Sequence, residues 1–119
     1  MGRRPMGSLE HAVLDVLWDS DEAIKPGDVL ARLDIEPALA YSTVRTILRR
    51  LVKKNLVNRS KEGQSYLYRP VRTREEQVAE TMMDVFSAAT DPATALGHFV
   101  QRLSPRDASA LRQKLRSNK

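Results

Sequence analysis

The segment Ala40–Asn55, AYSTVRTILRRLVKKN, decides the fold of this chain. Its apolar residues recur at the i, i+3, i+4, i+7 and i+8 spacing of a helix that packs on one side; they are Val44, Ile47, Leu48, Leu51 and Val52. The opposite side carries Ser42, Arg45, Thr46, Arg49 and Lys53. Hydroxyls at the N-terminal end and cations further along favour a helix that lies in the major groove of DNA. A basic helix face is more often only solvated surface, so the neighbouring segments must decide between a solvated face and a DNA-binding face.

The distribution of charge supports the nucleic-acid alternative. The chain has 119 residues, one domain or a small domain with an appendage, and a net charge of +5. Between Leu9 and Glu36 there are eight acidic and two basic residues, whereas Tyr41 to Pro70 contains eight basic residues and one acidic residue. This segregation predicts one positive surface, which gains affinity for a polyanion by releasing counterions.

Several classes of protein are disfavoured by what the sequence lacks. It has no cysteine, which excludes disulfides, thiolate metal sites and thiol catalysis. No apolar run approaches the length of a membrane span, and Arg3-Arg4 is not followed by the hydrophobic segment of a secretory signal, so we expect a cytoplasmic protein without membrane insertion. His11 and His98 have no partner at metal-ligand spacing, and there is neither a catalytic constellation nor a Gly-rich phosphate loop. We therefore expect no enzyme activity, no cofactor and no metal.

The order of the predicted elements gives the fold class. Ser8 is a plausible N-cap for a helix that runs to Trp18, residues 23–25 are a short strand, and Pro26 begins a second helix. After the central helix, Asn55 is suited to a left-handed C-terminal position. Residues 56–60 and 65–69 predict a hairpin with a turn over residues 61–64. Three helices followed by a basic hairpin are the layout of a winged helix-turn-helix, here over residues 1–72, in which the hairpin is the wing.

The remaining residues, 73–119, predict a helical dimerisation domain. Thr73 and Glu76 match a capping box, and Asp91-Pro92 and Ser104-Pro105 each pair a capping side chain with a proline at the first helical position. Three short amphipathic helices cannot bury their apolar stripes on one another alone, and pairing across a two-fold axis would solve that. In the alternative arrangement these helices pack back on the winged helix. The fold class is thus mainly α with a small β-hairpin.

The candidate DNA contacts lie on the central helix and on the wing. Arg45 and Arg49 are assigned to base edges, since an arginine fork matches guanine O6 and N7, and Thr46 to a thymine methyl group. The lysines and the wing residues are assigned to phosphates, with the adjacent minor groove as an alternative for the wing. The full set is Ser42, Thr43, Arg45, Thr46, Arg49, Arg50, Lys53, Lys54, Arg59, Lys61 and Gln64.

Four stretches carry a family resemblance. They are LEHAVLDVLW at Leu9–Trp18, YSTVRTILRRLVKK at Tyr41–Lys54, YLYRPV at Tyr66–Val71 and HFV at His98–Val100. The chain resembles the penicillinase and methicillin-resistance repressors (the BlaI/MecI type) over nearly its whole length. The resemblance implies a homodimer that represses transcription from a palindromic operator, with genes of the beta-lactam-resistance type as one possibility. It also implies that the C-terminal helices form the dimer interface, for which the candidates are Met82, Val85, Phe86, Leu96, Phe99, Val100, Leu103, Leu111 and Leu115.

The sequence departs from that family at three points. Antibiotic-resistance members are inactivated by cleavage of an Asn-Phe bond, and the resemblance places that bond at His98-Phe99, where the asparagine is missing. Release of the repressor from DNA through a membrane sensor-protease pathway, which would require this cleavage, therefore stays an open alternative. The C-terminal cysteines of the copper-responsive relatives are also missing, which disfavours metal sensing of that kind. Ala40 stands where a capping serine would be expected, and Ser42, Thr43 or a DNA phosphate could take over that role.

Two other functions are compatible with the same elements. The basic face could meet an acidic protein, which would make the winged helix a protein-interaction module. Alternatively, a regulator of this fold could bind a small ligand between its C-terminal helices, where Met82, Met83 and Phe86 cluster.

Overall fold

The predicted order of elements is confirmed by the computed structural model, which describes residues 6–118; Arg3 and Arg4 lie outside the described residues. The helices are α1 (Met6–Trp18), α2 (Pro26–Arg32), α3 (Tyr41–Lys53), α4 (Arg74–Phe86), α5 (Pro92–Arg102) and α6 (Pro105–Ser117). The strands are β1 (Val57–Glu62) and β2 (Ser65–Pro70), which form one antiparallel hairpin. The fold is mainly helical, as the sequence predicts.

The hydrophobic core lies among α1, α2, α3 and the base of the hairpin. Its fully buried side chains are Leu17, Leu48, Leu51, Val13, Val29, Val44 and Val57. The predicted inner face of α3 is confirmed, because its first four members are buried and Val52 is partly buried against the core. Each fully buried aliphatic side chain contributes roughly 1.5–3 kcal/mol relative to exposure. This packing holds α3 with its polar face outward.

Two short-range predictions need correction. The chain is already helical at Met6, the first described residue, so Ser8 lies inside the helix and is not its N-cap residue. β1 continues through Glu62, so the hairpin turn consists of Gly63 and Gln64 alone, and Lys61 belongs to the strand. Gly63 has a φ of 62°, a left-handed value that a two-residue hairpin turn requires and that glycine adopts without steric cost.

Other local predictions are confirmed. Ile24 pairs with Tyr68, with N to O distances of 3.0 and 2.8 Å in the two directions, so the predicted short strand joins the hairpin as an isolated bridge of this one residue. Asn55 has a φ of 64° directly after α3, the left-handed conformation that ends many helices. The backbone N–H of Thr73 donates to the Glu76 carboxylate at 2.8 Å, and the Glu76 N–H donates back to the Thr73 hydroxyl at 3.1 Å, which is the predicted capping box.

The segment that follows the hairpin is held against α1. The indole N–H of Trp18 donates to the backbone carbonyl of Arg72 at 3.0 Å. The guanidinium of Arg74 lies 5.3 Å from a Trp18 ring centroid and pairs with Asp15 and Asp19, both at 3.3 Å. Trp18 therefore has a structural role in joining α1 to the segment after the hairpin.

The chain divides into two compact units, one ending at Gln77 and the other beginning at Val78. The first turn of α4 thus belongs with the winged helix. The division into domains at residues 72 and 73 stays a prediction.

The second unit contains most of α4 and all of α5 and α6, and none of these helices has a buried residue. Their ends are well capped. The Asp91 carboxylate accepts from the Thr94 N–H at 3.2 Å, and the Ser104 hydroxyl accepts from the Asp107 N–H at 3.0 Å. The hydrogen bonds from the Thr94 side chain and backbone lower the pKa of Asp91.

Candidate nucleic-acid interface

The outward face of α3 presents a strip of hydroxyls and cations. Successive residues are 100° apart around a helix, so residues 42, 46, 49 and 53 lie within about 60° of one another. This strip consists of Ser42, Thr46, Arg49 and Lys53, and all four side chains are exposed. The strip runs the length of the helix directly opposite the buried stripe, so its side chains are placed to enter a groove.

Arg45 and Arg50 are exposed on the two flanks of this strip. The Arg45 guanidinium lies 6.0 Å from the ring centroid of Tyr41, at the outer limit for a cation–π contact. Arg50 lies on the other flank, the side on which Lys54 follows the helix. The predicted contact set is therefore broader than one strip, since it includes an exposed arginine on each side of it.

Two of the predicted residues on α3 have less of their side chain available to DNA, Thr46 because of a hydrogen bond and Thr43 because of burial. The Thr46 hydroxyl donates to the Ser42 carbonyl at 3.0 Å, which leaves its methyl group and oxygen lone pairs for a base. Thr43 is half-buried, unlike the other predicted contacts on the helix.

The N-terminus of α3 has no side-chain cap. Ala40 is the N-cap residue, and neither Ser42 nor Thr43 replaces the missing side-chain hydrogen bond. The first N–H groups of this helix therefore point outward with the positive end of the helix dipole, an arrangement that favours an anion such as phosphate.

Lys54 is the one predicted cation with a carboxylate partner among residues 6–118. Its ammonium group lies 2.7 Å from Glu10 of α1. This pair ties the end of α3 to α1 and partly neutralises Lys54. The other ion pairs of the described segment involve His11 and Arg74 and leave the remaining predicted cations without carboxylate partners.

The wing adds a second basic element. In the hairpin register Arg59 faces Tyr68 and Lys61 faces Tyr66, so the two cations lie on one face of β1. Both are exposed, as is Gln64 in the turn. The structure thus places every predicted DNA contact on α3, at its C-terminal end or on the wing, although contact with DNA itself stays a prediction.

Three further exposed residues lie on α3 or the wing and were not among the predicted contacts. Tyr41 is exposed in the first turn of α3, Arg69 is exposed on the opposite face of the wing from Arg59, and Tyr66 lies beside both wing cations. The period-2 alternation of β2 would have predicted that Arg69 lies on the opposite face of the wing from Tyr66 and Tyr68. No sequence pattern indicates that Tyr66 stacks with a cation.

The predicted dimer residues lie in the second unit. Six of them are exposed within one chain, namely Met82, Val85, Leu96, Phe99, Val100 and Leu115. Phe86, Leu103 and Leu111 are half-buried. His98 and Phe99 lie inside α5, whose backbone hydrogen bonds must open before a protease could bind this bond in an extended conformation.

Between residues 6 and 118 no cluster of three or more His, Asp or Glu side chains could hold a metal ion. Among the same residues, no helix has the length and apolar character needed to cross a bilayer.

Comparisons with known proteins agree with this geometry. The family model described as penicillinase repressor matches residues 6–117. The chain is 42% identical over 113 residues to the transcriptional regulator BlaI of Mycobacterium tuberculosis (strain CDC 1551 / Oshkosh), a match that spans 92% of this chain and 82% of that protein.

Solved structures show the same fold. The solution structure of the DNA-binding domain of the repressor BlaI matches with a TM-score of 0.51 and 28% identity, over 64% of this chain and 93% of that domain. A complex structure of hsRosR-S1 matches with a TM-score of 0.50 and 22% identity, over 87% of this chain and 93% of that one. The family and the curated relative are described as regulators of transcription and not as enzymes.

Proposed function

We propose that this chain, which belongs to the penicillinase repressor family of winged-helix DNA-binding regulators, represses transcription as a homodimer bound to a palindromic operator. One observation carries the DNA part of the proposal. The outward face of α3 and the wing form a basic surface whose cations, apart from Lys54, have no carboxylate partner among residues 6–118. Unpaired cations on one surface are what phosphate neutralisation needs.

In this proposal α3 is the recognition helix. Arg49 on the central strip and Arg45 on its flank contact base edges, where a bidentate arginine discriminates guanine by about 1–3 kcal/mol. The uncapped N-terminus of α3 and the hydroxyl of Ser42 bind a phosphate at the groove edge. Lys53 and Arg50 contact phosphates further along. Lys54 contributes less than a free lysine would, because Glu10 already holds it.

The wing has the role of a phosphate clamp. Arg59 and Lys61 project from β1, and Gln64 lies at the hairpin tip. Phosphate contacts carry no sequence information, but they fix the orientation of the domain on the duplex. The wing thus keeps α3 in register with its half-site.

A second copy of the chain is the proposed occupant of the exposed apolar residues of α4, α5 and α6. A helix with an apolar stripe must cover that stripe to be stable in water. Val85 and Leu115 are 71% and 68% exposed in one chain, and no side chain of these helices is buried. A two-fold dimer also accounts for a palindromic operator, since each protomer then reads one half-site.

Selection from random duplexes tests the DNA part. The full chain should enrich one sequence with two-fold symmetry and two half-sites about one helical turn apart. Fluorescence polarisation with the selected duplex and with a scrambled duplex of equal length then measures specificity, with at least about 1,000-fold expected at physiological salt. Equal affinity for both duplexes would reject sequence-specific repression and favour the protein-interaction alternative.

Sedimentation equilibrium tests the assembly. The free chain should sediment with twice its mass of 13.4 kDa, and one dimer should bind one selected duplex. A monomer that binds as a single copy would reject the palindromic arrangement without affecting the assignment of α3.

A further inference from the structure

The exposed end of the wing combines two cations with one aromatic ring. Strand pairing opposes Lys61 to Tyr66 and Arg59 to Tyr68, which puts all four side chains on the same face of the hairpin. Tyr68 is buried in the core, whereas Tyr66 is 37% exposed. This face therefore passes from the core at Tyr68 to solvent at Tyr66.

Arg59 is held by the ring of Tyr66. Its guanidinium carbon lies 4.4 Å from the Tyr66 ring centroid, well within cation–π range, and the Lys61 ammonium lies 5.9 Å from the same centroid. The Arg45–Tyr41 pair on α3, at 6.0 Å, is much looser. Among the cations of the proposed interface, Arg59 is thus the one that an aromatic ring holds most closely.

The stack orders Arg59 without neutralising it. No carboxylate among residues 6–118 lies within 4.0 Å of Arg59 or Lys61. An arginine held by a salt bridge would lose its attraction for DNA, but one held by a ring keeps its full charge. Stacking also restricts the side-chain rotamers in the free protein, so less entropy is lost when the guanidinium enters a groove.

A narrow minor groove is the part of DNA that selects such a group. A·T-rich segments have a narrow minor groove with enhanced negative potential, which attracts inserted arginines. The guanidinium is planar and more weakly hydrated than an ammonium group, so it enters this space more readily than lysine does.

We infer that Tyr66 is a positioning residue that holds Arg59 for insertion into the minor groove beside the half-site, and that this pair makes the protein prefer A·T base pairs there. The inference rests on the proposed function, which assigned only phosphate contacts to the wing. It adds a determinant of sequence preference that does not involve α3.

Inosine substitution separates minor-groove reading from major-groove reading. Starting from the selected operator, the base pairs on either side of each α3 footprint are made A·T, G·C or I·C. An I·C pair lacks the 2-amino group in the minor groove, as A·T does, but keeps the major-groove atoms of G·C. The wild-type chain should bind A·T and I·C flanks about tenfold more tightly than G·C flanks. Binding of I·C duplexes like G·C duplexes, or no preference among the three, would overturn the inference.

Four variants assign the preference to the stacked pair. Tyr66→Phe keeps the ring and should keep the ratio, whereas Tyr66→Leu and Arg59→Lys should lower it to about twofold or less. Lys61→Ala is the matched control, since loss of a phosphate contact weakens binding to all flanks alike. An unchanged ratio in both Tyr66→Leu and Arg59→Lys would refute the positioning role.

Two controls distinguish loss of the flank preference from misfolding of the variants and from failure of the proposed function. Tyr66 is partly exposed, so its variants should melt like the wild type, and Arg59→Lys tests the same stack if Tyr66→Leu does not fold. Failure of the proposed function would appear as equal wild-type affinity for the selected and scrambled duplexes. Failure of the wing inference would leave that discrimination intact and remove only the effect of the flanks.

Discussion

In α3 the apolar stripe that includes Val44 and Leu48 is buried, whereas α4, α5 and α6 contain no buried residue although their sequences are also amphipathic. The helices of the first unit cover one another and the hairpin base. Those of the second unit leave large apolar side chains such as Phe99 and Leu115 in solvent. Amphipathic spacing thus identifies the side of a helix that must be covered, but it does not say whether the cover comes from the same chain.

The largest expected effect compares the same substitution in the two units. Leu48→Ala should lower the free energy of unfolding by about 2–5 kcal/mol, because a fully buried side chain leaves a cavity. Leu115→Ala should cost less than about 0.5 kcal/mol at protein concentrations too low for association, and more as the concentration rises. Urea unfolding followed by far-ultraviolet circular dichroism, which detects the helices of both units, measures both. Equal losses at every concentration would contradict the contrast between the units.

A charge in the second unit should break association without unfolding the first. Phe99→Glu places a carboxylate in the proposed dimer interface and should weaken dimerisation by at least about 2 kcal/mol, as loss of an aromatic anchor does. Sedimentation equilibrium measures the dimer, and Trp18 fluorescence reports on the winged helix. Gln101→Glu, on the other side of α5, is the matched control and should leave the dimer unchanged. If both variants dimerise normally, the interface is elsewhere.

Removal of one arginine should affect binding according to the unit in which it lies. Arg49→Ala should reduce affinity for the selected operator by about 1–3 kcal/mol and relax specificity at one base pair, because an arginine fork reads guanine there. Arg106→Ala, at an arginine of α6 that is also exposed, should leave affinity within about twofold of the wild type. Polarisation titrations at fixed salt measure both. Normal operator affinity of the Arg49 variant would show that the recognition face has been misassigned.

The smallest expected effect concerns helix caps, which also differ between the units. Ser104→Ala should destabilise α6 by about 1 kcal/mol, whereas Ala40→Ser should stabilise the free protein by a similar amount. Thermal melts measure both changes. Ala40→Asp should also stabilise the free protein but weaken DNA binding, since a carboxylate repels the phosphate proposed at this end of α3. Unchanged operator affinity of Ala40→Asp would argue against a phosphate there.

Local chemistry made much of the fold predictable. The inner face of α3, the capping box at Thr73 and the left-handed Asn55 each depend on residues a few positions apart, and all three are confirmed. The errors at Ser8 and in the hairpin turn concern where an element begins or ends. There, competing local hydrogen bonds differ little in energy, so neighbouring structure decides the boundary.

The candidate interface also has features that the sequence predicts and features that depend on tertiary packing. The sequence by itself determined which side chains α3 presents outward, because helical periodicity fixes their direction once the opposite stripe is buried. Only the tertiary structure decided that Glu10 partly neutralises Lys54 and that Tyr66 holds Arg59. These pairings join residues on different elements, and their distances depend on how α1, α3 and the two strands pack. Short-range periodicity carries no information about that packing, because the contacts that set it connect residues far apart in the chain.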